Sequence, residues 1–288
     1  MTSAAAYSAL GSLVPPRAPE RSGWEPRMPV AFAPIRQPQD PWSKRTEFLE
    51  ISFTPLDMDA ALAAICAVPP DASFKYVVTP NVDHVVRLQH RRSDLWPAYR
   101  GAWMTLCDSR ILAKMARSVG ANLPVVAGSD LTSELFEKVV KKTDRIAILG
   151  GRSDLIARIA DRYGLTNICH YDPPMGFGNN PREVRKASRF LIEADARYCF
   201  LAVGSPQQEL VAHQVRQTRG ARGIGFCVGA SLDFLSGEQE RAPVLVQAMA
   251  LEWLYRLASN PQRMWRRYLV EGPRIFMIHR DCQRRFGP

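Results

Sequence analysis

Short apolar runs recur along the chain, and each stops at a glycine, a proline or a polar pair. They are FKYVVT, Trp103–Cys107, RIAILGG, YCFLAVG and GIGFCVG. Between them lie segments whose apolar positions return every three or four residues, the period of a helix with one buried face. DMDAALAAICA is the first of these, and in PNVDHVVRLQH the positions Val82, Val85, Val86 and Gln89 share a face. After Asp108, a further helix has Ile111, Leu112 and Met115 among its apolar positions. GSDLTSELFEKVV has a polar start before its helical period, SDLIARIADRYG carries its own glycine stop, and QQELVAHQVRQ sits between the last two strands. So regular an alternation of strand and helix predicts an α/β fold: a compact, mostly parallel sheet flanked by helices on both faces.

The ends of the chain read differently. Residues 1–42 carry Pro15, Pro16, Pro19, Pro26, Pro29, Pro34, Pro38 and Pro41, and the repeated loss of backbone donors predicts a flexible arm or surface coat. Residues 43–242 form the α/β domain, and residues 243–288 a basic, amphipathic helical appendage. The whole chain has 288 residues and a formal charge of +10, which favours anionic partners. Arg256, Arg263, Arg266, Arg267, Arg274, Arg280, Arg284 and Arg285 crowd the C-terminal region. Leu254 and Ala258 share a face there, as do Trp265 and Leu269, with arginines on another. Such a helix covers an active site, packs on a subunit, or lies on an anionic membrane; the pattern fits a nucleic-acid groove less well.

No window approaches the roughly 18 consecutive apolar residues of a membrane span. The first residues show neither a basic leader nor an adequate apolar core, so no secretory signal is predicted. The six scattered cysteines read as reduced, mostly buried small side chains of a cytosolic protein.

Candidate chemistry gathers at the predicted strand exits. Asp108 directly follows one apolar run, Thr79 and Asn81 follow another, and GSPQQE (204–209) and GASLDF (229–234) follow two more. Each cluster alone is a helix cap or a tight turn. Four at successive strand ends point to one polar cleft, since ligands of open α/β sheets sit beyond the C-terminal strand edges. Thr79 and Asn81 supply hydrogen-bonding groups for a sugar or diphosphate, and Gly204 and Ser205 leave room for close backbone approach. LGGRSD lacks both the dinucleotide and the P-loop fingerprints; its glycines turn the chain, or the helix beyond them greets an anion. The five histidines are dispersed, no metal site is predicted, and no G-x-S-x-G elbow is present. DPPMGFGNNP reads as a mobile rim or substrate lid.

From Phe48 to Leu269 the chain resembles bacterial glycosyltransferase family 26. The resemblance rests on TPNVDHVV, VAGSDL, LAVGSPQQE, GASLDF, RAP and LEWLYRLASNPQRMWRRYL. It implies a metal-independent, inverting transfer of a sugar from a UDP donor to a polyprenyl-diphosphate-linked saccharide, with no cofactor. On that resemblance Asp108 corresponds to the general base, and Thr79 and Asn81 to polar active-site residues. Gln208 and Asp233 correspond to donor-site positions, joined by Gly204 and Ser205. Arg256, Arg263 and Arg266 correspond to arginines near the diphosphate-bearing substrate. Two departures stand out. Cys107-Asp108-Ser109 replaces Pro-Asp-Gly, and Val125 stands where the family has an arginine.

The expected protein is therefore an exopolysaccharide-assembly hexosyltransferase, a glucosyltransferase in the narrower reading. It works at the cytoplasmic face of the inner membrane, against an anionic surface, and self-association into a homo-oligomer is open. Transfer of N-acetylmannosamine or its uronic acid is the alternative within the family. A non-catalytic membrane-associated scaffold is the alternative outside it. Nucleic acid is not expected as a partner.

Overall fold

The computed structural model describes residues 42–235, 262 and 265–286. The predicted arm at 1–42 falls outside these residues except for Trp42, as does most of the appendage before Arg266. Elements are numbered here over the described residues.

Six strands form one parallel sheet: β3 (Lys75–Val78), β4 (Met104–Thr105), β5 (Ile146–Leu149), β6 (Ile168–Tyr171), β7 (Tyr198–Leu201) and β8 (Ile224–Cys227), in the order β4-β3-β8-β7-β5-β6. A strand rebuilt parallel to its predecessor needs a crossover. Helix α1 (Met58–Ala67) precedes β3, and the crossovers carry helices α2 (Val82–His90), α3 (Trp96–Arg100), α4 (Arg110–Arg117), α5 (Gly128–Glu134), α6 (Ser153–Tyr163), α7 (Pro181–Ala194) and α8 (Gln207–Gln217). Helix α5 runs on into a π-helical turn, Leu135–Val139. Helix α9 (Ser231–Leu235) follows β8, and α10 (Arg274–Phe286) closes the described chain.

The two faces of the sheet bury separate cores, and strand alternation divides residues between them. Ile146, Ile148, Tyr198, Phe200, Ile224 and Phe226 pack one side with residues of α1, α5 and α6. Ala147, Leu149, Cys199, Leu201 and Cys227 pack the other, with α2, α4, α7 and α8. Strand β8 carries Gly225 at its centre because a β-carbon there would lie 2.6 Å from the Phe74 ring.

Several predicted boundaries hold. Asp57 caps α1 by accepting from the Ala60 N–H at 2.9 Å. Gly164 ends α6 in the left-handed conformation, with φ 63°. The strand expected over Trp103–Cys107 is shorter, Met104–Thr105, continued by an isolated bridge from Cys107 to Val125.

Several features carry no clear signal in the sequence pattern. β1 (Thr46–Phe48) and β2 (Ile51–Phe53) make an antiparallel hairpin whose turn residues, Leu49 and Glu50, both have positive φ without glycine. The hairpin leads into Thr54, whose N–H bonds the Thr105 carbonyl at 2.8 Å and so covers the outer edge of β4. Edge strand β6 and helix α7 were also unread.

All six cysteines are free; Cys107, Cys199 and Cys227 are buried, Cys66 is exposed. Burial pushes the Cys107 and Cys199 thiols up to about 12, so both are inert small side chains. Among the described residues no helix is long and apolar enough to cross a membrane.

Candidate active site

The strand order makes neighbours of β4, β3, β8 and β7. All run in the same direction, so the four polar clusters that follow them emerge side by side along one edge.

Backbone bonds tie the first two exits together. The Leu106 N–H donates to the Val78 carbonyl at 2.9 Å, and the Asp108 N–H to Pro80 at 3.1 Å. Half-buried Asp108 is thus held beside the Thr79–Asn81 turn. Ser109 follows in an extended conformation, φ −160°, and caps α4 by accepting from the Leu112 N–H at 3.2 Å. Glycine is not required there, and serine is the stronger capping residue over alanine. Val125 is 40% exposed, paired through its backbone with the strand end that carries Asp108.

Thr79 is buried, and its hydroxyl faces Gly128 at the start of α5. Asn81 caps α2: its Oδ1 accepts from the Asp83 N–H at 3.1 Å, while its own N–H donates to His84 Nδ1 at 3.3 Å. That bond leaves the neutral His84 ring with its proton on Nε2.

Arg87, one turn further along α2, was missed by sequence reasoning. Its Nη1 donates to Ser205 Oγ at 2.8 Å and its Nη2 pairs with Asp83. It therefore joins the helix after β3 to the turn after β7, across 118 sequence positions. No local pattern marks such a partner. Gly204 adopts φ +75°, a left-handed conformation that favours glycine, and the next peptide, Ser205–Pro206, is cis.

Gln208 is buried rather than presented to solvent. Its Oε1 accepts from the Gly229 N–H at 2.8 Å and its Nε2 donates to Glu209 Oε1 at 2.9 Å. The β7 and β8 exits are joined through this one amide. Asp233 is half-buried on α9, where its N–H bonds the Ala230 carbonyl at 3.2 Å. Burial raises the Tyr99 hydroxyl well above its ordinary value and the Glu209 carboxyl above its own.

The rim segment after β6 is anchored by buried Phe177, while Met175 at its tip is fully exposed. His170 places Nε2 3.0 Å from the Gly151 carbonyl, so that ring supports the turn after β5. Gly150 and Gly151 both turn at positive φ. Arg256 and Arg263 lie outside the described residues, with Leu254 and Ala258; Arg266 opens the π-helical segment Arg266–Glu271. Beyond it, α10 buries Ile275 and Ile278 against the core and exposes Phe276 and Met277, with Trp265, Leu269 and Val270 exposed before it. Among the described residues no group of three or more histidine, cysteine or acidic side chains is placed to hold a metal ion.

A parallel sheet with polar turns at adjacent strand ends, a carboxylate among them, forms the kind of strand-edge cleft in which open α/β folds bind their ligands. Residues 46–285 match the glycosyl transferase WecG/TagA/CpsF family model, and the chain belongs to that family. It is similar to the N-acetylglucosaminyldiphosphoundecaprenol N-acetyl-beta-D-mannosaminyltransferase of Bacillus spizizenii (strain ATCC 23059 / NRRL B-14472 / W23). The two are 28% identical over 242 residues, covering 82% of this chain and 86% of that protein.

Proposed function

We propose that the protein transfers an N-acetylmannosamine-type sugar from a UDP donor to a polyprenyl-diphosphate-linked saccharide, with inversion at the transferred carbon. The observation that carries this reading is the similarity, over 82% of the chain, to a transferase whose name specifies that sugar and a diphospho-undecaprenol acceptor. Glucose transfer in exopolysaccharide assembly has no comparable support and takes second place. The uronic acid of N-acetylmannosamine remains a donor to be compared.

In the proposed reaction Asp108 removes the acceptor hydroxyl proton as that oxygen attacks the anomeric carbon from the face opposite the leaving diphosphate. Thr79 and Asn81 orient the sugars beside it. The turns at Gly204–Ser205 and Gly229–Asp233, linked through Gln208, hold the nucleotide end. Arg256, Arg263 and Arg266 meet diphosphate charge with charge-assisted hydrogen bonds, which suits a reaction without a metal. Exposed Phe276 and Met277 on α10, together with the C-terminal arginines, suit contact with an anionic bilayer. The enzyme would act peripherally at the cytoplasmic face of the membrane, where its lipid-linked acceptor is embedded.

The test is an assay of the full chain and of Asp108→Asn, with UDP-N-acetylmannosamine, its uronic acid and UDP-glucose, on a short-chain polyprenyl-diphosphate-N-acetylglucosamine. Disaccharide-lipid product from N-acetylmannosamine alone, lost by a factor of about 10²–10⁴ in the variant, is expected. Product from UDP-glucose alone restores the glucosyl reading, and equal turnover by the variant removes Asp108 as the base. No product from a folded protein leaves the scaffold reading in its place.

A further inference from the structure

Glu209 is the most buried acidic side chain at the catalytic edge, 1% exposed, and the reaction sketched above does not use it. A carboxyl group in such a place is costly unless it answers a specific need. Its Oε1 accepts from Gln208 Nε2 at 2.9 Å; its Oε2 is buried and makes no hydrogen bond among the described residues.

What it answers is the orientation of one amide. The Gln208 side chain has a carbonyl at one end and an NH₂ group at the other, and nearly the same shape when flipped. In the observed orientation its carbonyl takes the Gly229 N–H at 2.8 Å. Flipped, it would set a donor against the Gly229 donor and a carbonyl against the Glu209 carboxyl. Gly229 and an ionised, acceptor-only Glu209 together admit one orientation only, and Glu209 supplies half of that selection. The Gln208 N–H also bonds the Gly204 carbonyl at 3.1 Å, so this residue pins both turns, after β7 and after β8. Gly229 itself sits at φ +53°, at the root of the turn that carries Asp233.

We propose that Glu209 is a positioning residue for the nucleotide-sugar end of the site, acting through the Gln208 amide to fix the Gly229 turn against the Gly204–Ser205 turn; this rests on the donor-site reading given above. Burial also raises the Glu209 carboxyl above its ordinary range, against the pull of the Gln208 amide and the Ser205 hydroxyl. Neutral or ionised, Oε1 keeps a lone pair for Nε2.

The experiment uses the full chain with UDP as the probe, measured by calorimetry, alongside amide hydrogen exchange at Gly229. Glu209→Leu is expected to weaken UDP about tenfold, the scale of one lost hydrogen bond, and to speed Gly229 exchange. Glu209→Gln keeps a carbonyl for Nε2 and places its NH₂ where Oε2 has no partner, so it should bind UDP within about twofold of wild type. If Glu209 acts through the amide, adding Glu209→Leu to Gln208→Leu changes UDP affinity no further. Should Glu209→Leu fail to fold, Glu209→Ala and the double variant carry the same comparison. Losses that add, or Glu209→Leu with wild-type affinity and exchange, overturn the proposal alone. A folded wild type that does not bind UDP overturns the donor-site reading, and the proposal with it.

Discussion

A β-carbon added at Gly128 would lie 2.8 Å from the Thr79 hydroxyl oxygen. Real β-carbons essentially never come so close, and Thr79 is buried at the end of a central strand with little freedom to retreat. Gly128→Ala should therefore displace the Thr79 side chain. Turnover is expected to fall at least tenfold while the fold survives. Gly128→Ala combined with Thr79→Ala should lose no more than Thr79→Ala alone, a non-additivity that kinetic comparison of the four proteins would reveal.

Arg87 holds two elements with one guanidinium, bonding Ser205 on one side and Asp83 on the other. Arg87→Ala is expected to cost about 1–3 kcal/mol, because both partners sit where water compensates poorly. Arg87→Lys should recover only part of it, since a single ammonium does not reproduce a planar fork. Urea unfolding of the three proteins gives the comparison.

Ser109 meets a simple test of its departure from glycine. Its extended backbone needs no glycine, and its hydroxyl caps α4. Ser109→Gly should cost a few tenths of a kcal/mol and Ser109→Ala about 1 kcal/mol. Thermal unfolding should rank the two in that order, with transfer activity retained in Ser109→Gly.

His279 on α10 puts Nε2 3.1 Å from Ser118 Oγ and its ring edge-on to Phe48, with centroids 6.0 Å apart. Burial lowers its pKa below the ordinary 6.5, and that of His213 as well. The native state then binds protons less readily than the unfolded chain. Their contribution is complete above about pH 6.5 and is lost as the pH falls through that value toward the lower native one. The unfolding midpoint should drop between pH 7 and pH 5, and His279→Gln should flatten that drop, leaving the share that belongs to His213. Calorimetric scans at half-unit steps would show whether it does.

Much of this arrangement was legible in the sequence, for reasons that differ by element. Strands β5, β7 and β8 are buried on both faces and so read as unbroken apolar runs. The four polar clusters could be assigned to strand exits, and their gathering on one edge follows from the strand order. β6, half-buried throughout, places Cys169, His170 and Tyr171 where an apolar run would be expected. Helix α7 hides its inner stripe in small or polar residues, Ala187, Ser188 and Ala194, with only Leu191 large. The β1–β2 turn uses Leu49 and Glu50 where the usual signal is glycine or asparagine. At the candidate site, Asp108 and Asn81 stand out in the sequence by their neighbours. Arg87 and Glu209 do not. Arg87 finds its partner across the fold. Glu209, though next to Gln208, acquires its meaning only from a glycine 20 positions later in the chain, reached through that neighbour's amide.

Strand β8 lies between β3 and β7, yet it is the last of the six to be synthesised. Without Ile224–Cys227, β4-β3 and β7-β5-β6 have no strand pairing between them among the described residues. Each presents an open apolar edge where the other will later be joined. The final strand is thus a keystone. Its insertion, with Gly225 fitting under Phe74, unites the halves and in the same step brings the turns after β3 and β7 to either side of Gly229. A nascent chain stopped short of Cys227 has the β3–β4 pairing that holds Asp108 beside Thr79–Asn81, but it lacks Gly229, Asp233 and the C-terminal arginines, so the candidate site is completed only after the sheet is.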